Sequence, residues 1–117
     1  MYLLVVIQRC PSLDVSTCVE VEGTYYCRRL TARRVGGGFL AYAPALLPGC
    51  MPLRYVYKAR CDLDHLLAEA LPDSTPTRYT LRIRGVTVRY FPAAKVAIIF
   101  AKTPSEAEAV ATQCRPP

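Results

Sequence analysis

The side chains with the clearest chemistry are the cations between residues 78 and 95. Arg82, Arg84, Arg89 and Lys95 stand in the run RYTLRIRGVTVRYFPAAK, interleaved with Thr87 and Phe91. No Asp or Glu occurs between Asp73 and Glu106. A guanidinium is a planar fork of donors that fits a phosphate and does not titrate at physiological pH. Cations gathered without acids therefore suit a polyanion such as nucleic acid. A second basic cluster, Arg28, Arg33 and Arg34, precedes Gly36-Gly37-Gly38. That glycine run lacks the Lys-Ser/Thr of a phosphate-binding loop and reads as a hairpin or bulge.

Other chemistries find less support. His65 is the single histidine, and it lies off the apolar stripe of its segment. No Ser-His-Asp set and no paired carboxylates with an evident pocket occur, so neither an enzyme, a cofactor nor a small-molecule substrate is expected. The six cysteines (10, 18, 27, 50, 61 and 114) form no C-x2-C pair, which argues against zinc. An even number of cysteines is expected to give one to three disulfides, with the pairing open. The chain has no Asn and two Gln, a depletion of thermolabile residues that points to a thermophile, where intracellular disulfides persist. The opening MYLLVVIQRC has an apolar run too short for a membrane span and no basic leader, so a cytoplasmic protein without a membrane partner is expected.

The elements that must position the cations follow from periodicity. With 117 residues, 52% of them hydrophobic, and a net charge of +6, the chain is expected to be one globular domain. Residues 79–83 and 86–91 alternate on either side of Arg84-Gly85, a two-residue turn. The alternation sorts Tyr79, Leu81, Ile83, Val86, Val88 and Tyr90 to one face and Arg82, Thr87, Arg89 and Phe91 to the other. The strand after Lys95, VAIIF, is apolar on both sides and so central. Thr103-Pro104-Ser105-Glu106 is a helix start, with Thr as N-cap, Pro in the first position and Glu closing a capping box. Upstream, strands are predicted over 2–10, 24–32, 39–45 and 53–60. A short helix is predicted within 12–20. Another is predicted over 62–71, with Leu63, Leu66, Leu67, Ala70 and Leu71 as its apolar stripe and Asp62 as N-cap.

The halves echo one another. Arg9-Cys10-Pro11-Ser12-Leu13-Asp14 parallels Arg60-Cys61-Asp62-Leu63-Asp64, and Tyr42-Ala43-Pro44-Ala45 parallels Tyr90-Phe91-Pro92-Ala93. The expectation is a duplicated β-α-β-β unit, with a degenerate copy over 1–49 and a fuller one over 53–114.

The second half, and GVTVRYFPAAKVAIIFAKTPSEAEAVA above all, resembles a half-repeat of the TATA-box-binding protein family. The resemblance covers about half of the chain. It implies an α+β fold: a curved antiparallel sheet with helices on one face. It also implies that the concave face meets nucleic acid, with Phe91 at a wedge position and Arg82, Thr87, Arg89, Ala97 and Ile99 lining the surface. The first half has Ala43 where a wedge would stand, and the family's central Asn residues are missing. The expected function is therefore looser DNA or RNA contact through Arg82, Arg84, Thr87, Arg89, Phe91, Lys95 and Ile99, with Arg28, Arg33 and Arg34. The alternative is a protein-interaction or assembly adaptor that makes no direct nucleic-acid contact.

Overall fold

The computed structural model describes residues 1–69, 71–72 and 77–117. The chain forms two compact units, Leu4–Arg54 and Tyr55–Pro117, the latter with Met1–Leu3. Both are built from antiparallel strands.

In the N-terminal unit, β1 (Tyr2–Cys10) is followed by a 3-10 turn at Val15–Thr17. A meander comes next: β2 (Cys18–Val21), β3 (Thr24–Cys27), β4 (Leu30–Val35) and β5 (Gly38–Ala43). Its last strand returns beside the first, giving the order β2-β3-β4-β5-β1. Gly38 is required there, because a Cβ on it would sit 2.7 Å from the carbonyl oxygen of Cys10. The core is small: buried Cys10, Ala32 and Ala41, with Leu13, Tyr25, Leu30, Leu47 and Cys50 packed around them. Gln8 is fully buried beside it. Its Nε2 donates to the carbonyls of Val6 (3.2 Å) and Ala45 (3.0 Å), and its Oε1 accepts from the Leu47 amide at 2.7 Å. A polar side chain is tolerated here because each of its groups has a partner.

The C-terminal unit repeats the order. The strand β6 (Met51–Arg60) leads to a 3-10 turn at Asp64–Glu69. The meander β7 (Leu71–Pro72), β8 (Tyr79–Ile83), β9 (Val86–Phe91) and β10 (Val96–Ala101) follows. Again the last strand pairs with the first, in the order β6-β10-β9-β8-β7, so β10 is central as its apolar run implies. The helix α1 (Pro104–Ala111) then adds Ala107 and Val110 to a core containing Leu63, Leu81, Val88, Tyr90, Ala97 and Ile99. Its predicted start holds: Thr103 Oγ1 accepts from the Glu106 amide at 3.2 Å, and Glu106 Oε1 accepts from the Lys102 amide at 2.7 Å.

The expected α+β architecture, with helices across one sheet face in β-α-β-β repeats, does not form. Among the described residues α1 is the one α-helix, and the rest is sheet and turn. Within 12–20, β-branched Val15, Thr17 and Val19 disfavour a helix. Asp14 caps only a 3-10 turn, accepting from the Ser16 amide at 3.1 Å, before the chain extends into β2. Of the stripe expected over 62–71, Leu63 is buried and Leu66 and Leu67 pack on the core. The turn is tighter than an α-helix: the Leu66 amide donates to the Leu63 carbonyl at 2.9 Å, an i→i+3 bond. Pro72 follows too soon for the costly helical nucleus to be offset by further turns. Ala70 of that stripe lies outside the described residues. The expected single strand over 24–32 is two strands, broken at Arg28-Arg29, with Arg29 at φ 65°.

All six cysteines are bridged. Cys10–Cys50 and Cys61–Cys114 each tie the end of a unit's first strand to the segment after its last. Cys18–Cys27 joins directly opposed residues of β2 and β3. Among the described residues no helix is long and apolar enough to cross a membrane.

Candidate nucleic-acid interface

Period-2 alternation gives the sheet of the C-terminal unit one face against the core and one without it. Register identifies the residues of the second face. Three rows run across the strands: Arg60, Val96 and Phe91; then Lys58, Ile98, Arg89 and Thr80; then Val56, Phe100, Thr87 and Arg82. Every row holds a cation and none holds an acid. Arg60, Arg82 and Arg89 are exposed, Lys58, Phe91 and Phe100 are half-buried, and Val56 is buried.

The arginines are already oriented. Arg82 donates to Thr87 Oγ1 at 2.7 Å. The Arg89 guanidinium lies 5.5 Å from the centroid of the Phe100 ring, a cation–π contact. None of Lys58, Arg60, Arg82 and Arg89 pairs with an acid among the described residues. Among the described residues of this unit, Asp62 and Asp64 lie after β6, and Glu106 and Glu108 lie on α1.

Arg82, Thr87, Arg89 and Phe91 thus come together as their alternation predicts. Arg84 stands at the tip of the β8–β9 hairpin with φ 51°, followed by Gly85 at φ 77°. Two positive φ values in succession are those of a type I′ turn, whose twist matches the strands it joins.

Three C-terminal candidates lie elsewhere. Ile99 is fully buried, facing Val88 and Tyr57 on the core side. Ala97, also expected on the surface, is buried with it. Lys95 ends the turn after Phe91 at φ 52°, and its ammonium pairs with Asp64. Asp64 also accepts from the Tyr90 hydroxyl at 2.7 Å. The Lys95 hydrogen bond, then that of Tyr90, holds the Asp64 carboxyl below the usual carboxylate range. The same bond raises Lys95, while burial first and Asp64 second raise Tyr90. This cluster is an internal clasp of the turn.

No family model, curated protein or solved structure matches this chain.

The N-terminal candidates do not gather. Arg33 is exposed on the face of β4 away from its core. Arg34 points to the opposite face, its guanidinium 5.7 Å from the Phe39 ring centroid. Arg28 is exposed in the β3–β4 turn. Sequence reasoning passed over Lys58, Arg60 and Phe100. The alternation Val56, Lys58, Arg60 against Tyr55, Tyr57, Ala59 carried the signal for the first two.

Proposed function

We propose that the protein binds nucleic acid through the basic sheet face of its C-terminal unit, the one turned away from the core. The observation that supports this reading is the composition of that face: Lys58, Arg60, Arg82 and Arg89 in three adjacent rows with no acid among them. Like charges so close repel one another at separations comparable to the screening length, about 8–10 Å at physiological salt. That repulsion lowers stability, and a bound polyanion reverses it. The three disulfides fit an oxidising compartment and equally the interior of a hyperthermophile; a cytoplasmic placement requires the latter.

The test is binding of the oxidised protein to DNA and RNA across a salt series. Four neutralised phosphates give a slope of log affinity against log salt of about −3. Arg82→Ala and Arg89→Ala should each reduce that slope by about 1 and weaken binding to all sequences alike. Absent binding at low salt, or a flat salt response, would remove the proposal.

A further inference from the structure

We infer that the ligand of this face is single-stranded nucleic acid, its unpaired bases stacking on Phe91 and on the Arg89–Phe100 pair while Lys58, Arg60, Arg82 and the edge of the Arg89 guanidinium neutralise its phosphates. The inference rests on the nucleic-acid reading above and narrows it. In ideal sheet geometry the two ring positions lie about 14 Å apart, one strand over and four residues along. Between them runs the middle row, carrying Lys58 and Arg89. Beyond the rings, Arg60 shares the row of Phe91 and Arg82 shares the row of Phe100. Rings and cations therefore alternate over the face, as bases and phosphates do along an unpaired strand. A duplex turns its base faces inward and would use only the cations, leaving the two rings without a partner.

The Arg89–Phe100 contact strengthens the case. A guanidinium held over a ring is a flat cation already ordered for a base to stack upon, so less rotamer freedom is lost on binding. The face carries no Asn or Gln, the side chains that read adenine edges. Binding by stacking and charge alone tolerates any base. The expected ligand is thus an unpaired strand of little sequence preference.

Anisotropy titrations of the oxidised chain at one low salt concentration test this. The probes are oligo-dT, oligo-U, an abasic DNA strand and a DNA duplex, all of one length near 12 nucleotides, within the site sizes of known single-strand binders. The expected result is that oligo-dT, oligo-U or both bind about tenfold or more tighter than the abasic strand and the duplex, and the stronger of the two names the sugar. Phe91→Ala should remove about tenfold from single-strand affinity and leave the abasic strand unchanged, whereas Phe91→Tyr should bind as the parent does. Equal affinity for abasic and base-bearing strands overturns stacking while charge-driven binding stands. Tighter binding of the duplex overturns the single-strand assignment. No binding to any probe removes this inference and the proposed function together. Should Phe91→Ala not fold, a 2-aminopurine strand read on the parent protein decides: quenching on binding supports stacking, and unchanged emission overturns it.

Discussion

The two units share a strand order and differ in what closes them. In each, a cysteine ends or directly follows the first strand, a 3-10 turn comes next, and a four-strand meander brings its last strand back beside the first. In each, that cysteine is bonded to one beyond the last strand. In the C-terminal unit the closing segment is a capped helix that adds Ala107 and Val110 to the core. In the N-terminal unit it is a loop. Two residues before the bridged cysteine, the C-terminal unit has Ala59 and the N-terminal unit has Gln8. A helix satisfies its own backbone and needs only an apolar floor. A loop leaves amides and carbonyls unpaired, and the Gln8 side chain serves them. Opposite the central strand, Tyr90 faces Ala97 in one unit and Ala32 faces Ala41 in the other. The smaller core coincides with two disulfides, the larger with one. Covalent ties compensate where apolar burial is limited.

This contrast can be broken most directly at the bridges. Replacing Cys10 and Cys50 together by Ala should cost about 4 kcal/mol in the chain-entropy account, for a separation of 40 residues. The N-terminal unit should then lose amide protection as a block. The Cys61→Ala, Cys114→Ala variant should lose a similar amount overall but keep protection in β8, β9 and β10. Hydrogen exchange resolved by strand compares the two, and preferential loss in the C-terminal unit would invert the argument. Next in size is Gln8→Leu, which orphans the Leu47 amide and the Ala45 carbonyl and should cost about 1–3 kcal/mol. Denaturant midpoints measure it, and an unchanged midpoint would mean that the loop finds other partners.

The smallest effect is that of pH on the Asp64 clasp. The Asp64 pKa is lowered in the folded state, so the clasp contributes fully above the unfolded carboxyl value. That contribution is lost as pH falls through the lower folded value. Asp64→Asn should therefore flatten the acid side of the stability profile while leaving midpoints at low pH alone. An identical acid limb in both proteins would count against the clasp.

The hairpin from Tyr79 to Phe91 was legible to the residue, because strict alternation and Arg84-Gly85 state both the faces and the turn. The phase of β10 was not. Val96, Ile98 and Phe100 are as apolar as Ala97, Ile99 and Ala101, so only the register with β9, which sets Ala97 opposite Tyr90, decides which set is covered. Ile99 and Phe100 exchanged places for that reason. Lys58 and Arg60 were assigned to a strand without a face. The break at Arg28-Arg29 carried no Gly, Asn or Pro to announce it. The 3-10 turn at Asp64–Glu69 was misread because its leucines have helical spacing over too short a run. The cysteine pairing followed from topology, which spacing does not encode.

The bridges also constrain what copies of the chain can exchange. Cys10–Cys50 encloses β5, and Cys61–Cys114 encloses β10, in separate covalent rings. Neither strand has a free arm to reach into another molecule, so while the bridges hold, domain swapping through the closing strand of either sheet is blocked.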